Sequence, residues 1–472
     1  MNILHVTAEC YPVAKAGGLG DVAGALPKYQ CRARHNAMLV MPMYQTAFLE
    51  KNKWEVHHKG RTNSGNYFFD YTIIKEKTNK LGFELFLVDI NGLLDRPKIY
   101  GYDDDAQRFV AFQIAVCHWL TDWKVKPDVV HCHDFHTGLI PFMFKYCFNF
   151  RPLAKVPTVF TIHNAEYQGW MSWDKSMWIP EYDIWRAGLL EWKNVINPLA
   201  SAVKNAWKVT TVSPSYMHEL KHNSNGLELL FEYEKGKCIG ILNGIDTEVW
   251  NPKTDKYLEA HYSSLTVNKG KKSNKEMLCK TFELDIDKPL FIFIGRLVHE
   301  KAANILPDTI GSAIHQLNKE VNFLILGSGD PHVEWLLEQL KKIVPENYNC
   351  VIGYNEQLSH IMYAGADFLL MPSRVEPCGL NQMYAMRYGT MPMVRRTGGL
   401  NDTVTDIGDE GWGICFNNAE VQELVNACKR AMHVYNNPKV MTALRKKMMK
   451  IDNSWENTVD KYIQLYKSVL LN

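Results

Sequence analysis

F-L-L-M-P-S-R-V-E-P-C-G-L-N, residues Phe368 to Asn381, is the stretch that decides the fold. Phe368–Met371 read as a short buried strand. Pro372, Pro377 and Gly379 stop any immediate helix, and helical spacing resumes near Leu380 and continues through Tyr384. Between strand and helix lie one carboxylate, Glu376, one thiol, Cys378, and open backbone around Gly379. A strand that ends in a polar loop feeding a helix N-terminus is where open α/β sheets bind ligands. Such an N-terminus also offers free backbone N–H groups to anions.

Working outward, the same strand–loop–helix alternation recurs. In the second half the apolar runs are Leu290–Ile294, Phe323–Leu326, Val351–Ile352, Phe368–Met371 and Met391–Val394. In the first half they are Ile3–Thr7, Met38–Met41, Leu85–Ile90, Val129–Cys132, Val159–Ile162 and Val209–Val212. Short β-branched runs bounded by polar loops favour strands over helix fragments. Strands alternating with helices predict parallel sheets covered on both faces. The fold class is therefore α/β, with two Rossmann-like doubly wound domains facing across a deep cleft.

Residues 1–240 are assigned to an N-terminal Rossmann-like domain and 241–454 to a C-terminal one. The glycine-rich Gly236–Pro252 connects them. Residues 455–472 contain a helix, with apolar spacing at Val459, Tyr462, Ile463, Tyr466 and Val469, that could cap either domain. A tryptophan-rich tract, Trp170 to Asn197, is expected to pack as a satellite core, with a carbohydrate-stacking surface as the alternative.

Composition narrows the class. With 472 residues the chain is too long for one ordinary core. Its net charge of +2 provides no global field for nucleic acid or acidic membrane, and the cluster Lys269-Gly270-Lys271-Lys272 reads as a solvated loop. Eleven cysteines without a C-x-x-C pair indicate reduced, intracellular usage. No apolar run approaches the roughly 20 residues of a membrane helix, and the N-terminus lacks a signal-peptide pattern. A cytoplasmic protein is expected.

The chemistry-bearing motifs follow strands. After the first comes Lys15-Ala16-Gly17-Gly18-Leu19-Gly20-Asp21. Either its glycine amides cradle phosphate beside Lys15, or it is a tight turn capped by Asp21. His131-Cys132-His133-Asp134-Phe135-His136 follows Val129-Val130. So many histidines raise a metal hypothesis, but alternate strand residues face opposite ways, and a sugar-contacting or structural polar loop is preferred. His163, ending Thr161-Ile162-His163-Asn164, is placed for catalysis or sugar binding, or else is a satisfied core histidine. Arg296 and Lys301 follow the Leu290–Ile294 strand and suit a diphosphate, Arg as a fork and Lys as a point charge, or read alone are ordinary surface residues near a turn. Tyr354 is placed to stack on a base, or else is an interface aromatic. Gly398 and Gly399 form a second glycine turn whose amides could reach phosphate. These features together assign the Pro372–Asn381 loop to a sugar nucleotide.

The ordered set H-V-T-A-E-C-Y-P-V-A-K-A-G-G-L-G-D-V, H-C-H-D-F-H-T-G-L, F-T-I-H-N, L-N-G-I-D, G-R-L-x4-K and P-S-R-V-E-P-C-G-L-N-Q-M-Y spans nearly the whole chain. It resembles the bacterial glycogen synthases and plant starch synthases, retaining glucosyltransferases of the GT-B fold. The resemblance implies transfer of glucose from ADP-glucose to the non-reducing end of an α-1,4-glucan. It implies that Lys15, Gly17 and Gly18 face the donor phosphates and the transferred glucose, and that Asp21, His163 and Asn243 contact the sugar or its leaving group. Arg296 and Lys301 would neutralise the diphosphate, Tyr354 would stack on adenine, and Glu376, Cys378, Gly379, Leu380 and Asn381 would hold the donor sugar. Glu9, Asp134 and His136 fall on the acceptor side, and the last helix returns to the N-terminal domain. Three positions depart from the family pattern: Ala302 and Arg34 stand where glycine is usual, and Phe135 where tryptophan is common.

The leaving group is a nucleoside diphosphate, so catalysis needs positive potential on its oxygens as the glycosidic bond breaks. No flanking carboxylate pair of the glycosidase kind stands out. No metal and no cofactor are expected, and the catalytic set is His163, Glu376, Lys301, Arg296 and Asp21. The alternatives are a glucan synthase preferring UDP-glucose, a non-catalytic glucan-binding homologue, and a metal-dependent hydrolase centred on His131, His133 and Asp134. The sequence leaves oligomeric state open.

Overall fold

The computed structural model describes residues Met1–Leu471. The chain forms two compact units, Met1–Gly244 joined by the segment from Trp455, and Ile245–Ser454. The division falls at Gly244, inside the expected connection but beyond the position-240 boundary.

The strands of the first unit are β1 (Asn2–Val6), β2 (Asn36–Pro42), β3 (Trp54–Ser64), β4 (Tyr67–Glu76), β5 (Glu84–Asp89), β6 (Val129–His133), β7 (Thr158–Ile162), the short pair β8 (Glu191–Trp192) and β9 (Val195–Ile196), β10 (Lys208–Thr211) and β11 (Cys238–Gly240). Nine of them form one sheet in the order β11-β10-β7-β6-β1-β2-β5-β4-β3. It is parallel except where β4 pairs antiparallel with β3 and β5. The second unit holds β12 (Leu290–Ile294), β13 (Asn322–Gly327), β14 (Tyr348–Ile352), β15 (Phe368–Met371), β16 (Met391–Arg395) and β17 (Ile414–Phe416). They form a sheet ordered β14-β13-β12-β15-β16-β17, parallel throughout.

Each sheet reverses its winding once, between β1 and β6 in the first unit and between β12 and β15 in the second. At such a switch point the loops leaving two adjacent strands diverge to opposite faces and leave a crevice at the strands' C-terminal ends. The chain's physical chemistry produces this directly. The central strands are buried on both faces, so they read as unbroken apolar runs such as F-L-L-M.

The helix Trp455–Leu470 belongs to the first unit. Its Trp455, Val459, Tyr462, Ile463, Tyr466 and Val469 close over Ile3, Val22, Leu26, Tyr29, Val129 and Val159. Two expectations fail. None of the five tryptophans in the 170–197 tract is buried, and Trp185 is 90% exposed. The tract folds into short 3-10 turns with no buried residue of their own, and Met171, Ile179, Leu190 and Ile196 serve as its core. The Lys269–Lys272 cluster is not a loop but part of the helix Val267–Phe282. Lys271 is buried there, donating to the carbonyls of Tyr363, Ala364 and Tyr388 and to Thr390 Oγ1.

Candidate active site

In the second unit the switch point brings together the loops after β12 and β15. Lys301 Nζ lies 2.6 Å from Glu376 Oε2, and Ser373 Oγ donates to the same oxygen at 2.9 Å. The two loops are tied by backbone as well. Arg374 N–H donates to Glu300 O at 2.7 Å, and the Arg374 guanidinium donates to His299 O and Asn304 Oδ1, both at 2.8 Å. Arg395 Nη1 donates to Arg374 O at 2.9 Å. Asn381 Nδ2 donates to Ile294 O at 2.6 Å, so the helix start after β15 is anchored to the end of β12. Arg296 remains half exposed, with Glu300 3.4 Å away. Tyr354, after β14, presents an exposed ring.

The glycines after β16 do different work from that expected. Gly398 has φ +43°, and a Cβ there would lie 2.1 Å from Glu376 O. A Cβ on Gly399 would lie 2.1 Å from Cys378 O, and the Gly399 N–H already donates to Glu376 O at 3.1 Å. The expectation that the Gly399 amide is free for phosphate is therefore corrected. These glycines let the β16 turn press against the Glu376–Cys378 backbone. Cys378 itself is buried, and Gly379, at φ +71°, makes the turn that Leu380 closes as helix cap.

In the first unit the switch point gathers the loops after β1 and β6. Glu9 organises the glycine loop: its Oε2 accepts from Ala16 N–H at 2.6 Å and Gly17 N–H at 3.0 Å, while Tyr100 Oη donates to Oε1 at 2.7 Å. The Gly17 amide is thus committed to Glu9 rather than to a phosphate. Three of about four acceptor positions on this carboxylate are filled. A Cβ on Gly17 or Gly18 would meet nothing within 4 Å, so the fold does not demand glycine at either position. Lys15 Nζ pairs with Asp21 Oδ1 at 2.7 Å.

Asp134, which has φ +56°, accepts from His163 N–H at 2.7 Å. Burial pushes its carboxyl up to about 7, with the nearby Glu9 charge adding to the effect. Burial pushes His163 and His136 down to about 3, so both are neutral imidazoles. His136 stacks on Tyr100 with ring centroids 4.9 Å apart, and its Nδ1 is buried without a partner. Asn243, beyond β11, likewise has a buried, unpartnered Oδ1.

The residues from Asn2 to Glu232 match the starch synthase catalytic domain, and residues 275–448 match glycosyl transferases group 1. A glycogen synthase of Flavobacterium johnsoniae is 50% identical over 470 residues, covering 100% of this chain and 99% of that one. The chain belongs to the glycogen synthase and starch synthase family. A glycogen synthase of Streptococcus pneumoniae is 36% identical over the full length of both chains. The catalytic domain of starch synthase IV from Arabidopsis thaliana, solved with ADP and acarbose bound, superposes with a TM-score of 0.91 at 32% identity, covering 100% of this chain and 99% of that one. The fold is accordingly GT-B, and the protein is a glucosyltransferase acting on nucleotide-sugar and glucan substrates.

Within this glycogen synthase fold the departures acquire shapes. Ala302 and Arg34, the two positions at which the resemblance leads to an expectation of glycine, stand at φ +55° and +65°. Phe135 packs against Gly169, where a Cβ would come within 2.3 Å of the ring, and with Phe109 and Trp170 it lines a cavity of about 200 Å³. Sequence reasoning missed Ser373, Arg374, Arg395 and Tyr100. The first two lie inside the opening motif, but only the packed loops reveal which atoms they hold.

Proposed function

We propose that the protein transfers glucose from ADP-glucose to the non-reducing end of an α-1,4-glucan with retention of configuration, without a metal or other cofactor. The observation that carries this reading is the Lys301–Glu376 pair at the β12/β15 switch point, with Arg296 on the same loop as Lys301. Arg296 and Lys301 supply the positive potential that the departing diphosphate needs, fixed in place before the bond breaks. Glu376 is held by Lys301 and Ser373 through Oε2 and offers Oε1 to a glucose hydroxyl. Tyr354 offers its exposed ring to adenine, and Gly379, Leu380 and Asn381 hold the sugar by backbone and amide. In the first unit Lys15, Gly17 and Gly18 approach the donor. Asp21, His163 and Asn243 contact its sugar, and Glu9, Asp134 and His136 receive the acceptor.

The open space above Gly17 and Gly18 supports a ligand there, since the fold itself would admit side chains. The unpartnered Nδ1 of His136 and Oδ1 of Asn243 support polar ligands at those atoms. ADP as the nucleotide is supported by the ADP bound to the Arabidopsis relative. The acceptor hydroxyl attacks from the face the diphosphate leaves. The leaving phosphate takes its proton, and His163 steadies the oxocarbenium-like state.

Competing ADP-glucose against UDP-glucose in one assay tests the donor, and a higher kcat/KM for UDP-glucose would reverse the assignment. The anomeric configuration of the first product, read by NMR, tests retention. Lys301→Ala and Glu376→Ala should each lower kcat by about 10²–10³-fold while the circular-dichroism spectrum is unchanged. Near-normal turnover by either variant would refute the role given to that residue. Activity lost to a chelator and restored by a divalent cation would contradict the metal-free reading.

A further inference from the structure

Beneath the first unit's candidate site runs a buried chain of side chains that the proposed chemistry does not use. Gln30 Nε2–H donates to Tyr466 Oη at 3.1 Å, so the other end of the same amide, Oε1, accepts from His5 Nε2–H at 2.8 Å. His5 Nδ1 and His133 Nε2 are 3.0 Å apart, as are His133 Nδ1 and His163 Nε2. Gln30, His5, His133 and Tyr466 are buried completely, and His163 is 8% exposed. A neutral imidazole has one N–H and one lone pair. Each ring therefore hands the polarity of its bond to the next: His5 Nδ1 accepts from His133 Nε2–H, and His133 Nδ1 accepts from His163 Nε2–H. Desolvation keeps the rings neutral, with His5 held down to about 4 and His163 to about 3.

A second branch starts from the same amide. Tyr466 O–H donates to His131 Nδ1 at 2.7 Å, and His131 Nε2–H donates to Thr161 Oγ1 at 2.6 Å. Turning the Gln30 amide over would reverse both branches at once, because its donor and acceptor ends would exchange neighbours. The amide orientation is thus a single control point for every tautomer in the network.

We propose that Gln30 is a positioning residue which, through His5 and His133, holds His163 as its Nε2–H tautomer, leaving His163 Nδ1 as a hydrogen-bond acceptor for a hydroxyl of the bound sugar. The proposal rests on the reading of His163 as a sugar ligand given above. It also accounts for a feature that otherwise suggests a metal: His5, His131 and His133 place ring nitrogens within 4.8 Å of one another. Both nitrogens of each of these rings already have side-chain partners. An ion would have to break the relay to bind.

The test is the tautomer itself. In the full-length protein labelled with ¹⁵N-histidine, long-range ¹H–¹⁵N spectra should show neutral Nε2–H rings for His5, His133 and His163, with a His163→Gln difference spectrum giving the assignment. An Nδ1–H tautomer at His163 overturns the proposal, as does a stoichiometric metal ion in the purified protein. Gln30→Glu keeps an acceptor against His5 but removes the donor to Tyr466, so it should keep the Nε2–H signature at His5, His133 and His163 and hold kcat/KM within about threefold of the parent. Gln30→Met removes the acceptor. It should release His163 into a tautomer mixture and lower kcat/KM about tenfold, the loss expected for one misdirected hydrogen bond. Parental kinetics and spectra in Gln30→Met would overturn the proposal. Should that variant fail to fold, the parent spectrum decides alone. Unimpaired transfer by His163→Ala would instead sink the sugar-ligand reading and the purpose of the relay with it, a result separate from the tautomer found.

Discussion

At the residue scale, Arg34 shows how a departure from a family pattern becomes a physical statement. It follows the cap of the helix Gly18–Arg32 and sits at φ +65°, exposed to solvent. The left-handed region costs an L-residue about 1–2 kcal/mol, a cost glycine avoids. Arg34→Gly should therefore raise stability by about 1 kcal/mol in chemical denaturation, with activity unchanged. A destabilised variant would show that the arginine side chain contributes more than its backbone strain removes. Ala302 shares the conformation but is buried completely, so its methyl offsets much of the strain and the same exchange should gain less there.

At the element scale, the two glycine turns separate a packing requirement from a ligand requirement. Gly399→Ala would drive a Cβ into the Cys378 carbonyl. It should cost about 1–3 kcal/mol through displacement of the Glu376–Cys378 loop and reduce activity with it. Gly17→Ala has open space and an extended φ of −151°. Its stability should stay within about 1 kcal/mol of the parent, so any loss of donor affinity would report contact with the ligand alone. Thermal melts beside donor KM values distinguish the cases. Equal destabilisation in both variants would mean the packing account is mistaken.

At the scale of the whole molecule, the first unit is built to resist charging. His5, His131, His133, His136 and His163 all have folded-state pKa values below the ordinary 6.5, with burial as the leading cause. The unfolded chain binds a proton at each below about 6.5 while the folded chain does not. Their stability is thus complete above that pH and is lost as pH falls toward 4. Asp134 works the other way: its carboxyl, raised to about 7, takes up a proton in the folded state first and favours folding as pH drops from 7 to 4. Five histidines outweigh one carboxyl, and each proton is worth about 1.4 kcal/mol per pH unit. Stability should fall as pH drops from 6 toward 4, measured by denaturation at fixed pH values. A flat profile across that range would contradict the burial of neutral imidazoles. His5→Gln should make the slope shallower.

The amino-acid sequence by itself determined the parallel strands, because strands buried on both faces must be apolar throughout and are bounded by glycine, proline and polar loops. That is why the Phe368–Met371 strand and the Trp455–Leu470 helix were legible residue by residue. Many of the candidate site residues that the sequence singled out follow strands in the fold, whereas Asp21 lies within the helix Gly18–Arg32. The β3–β4 hairpin was not legible, since its exposed face carries charged residues and breaks every apolar run. Nor was the surface position of the tryptophan tract, because an indole's hydrophobicity does not say which neighbours will cover it. Only the tertiary structure decided that Glu9 is committed to the Ala16 and Gly17 amides, that Gly399 serves loop packing, and that one hydrogen-bonded chain links Gln30 to His163. Those facts depend on angstrom-scale distances between residues far apart in sequence, where hydrogen-bond geometry and close approach are set by the folded chain and local pattern carries no record of them.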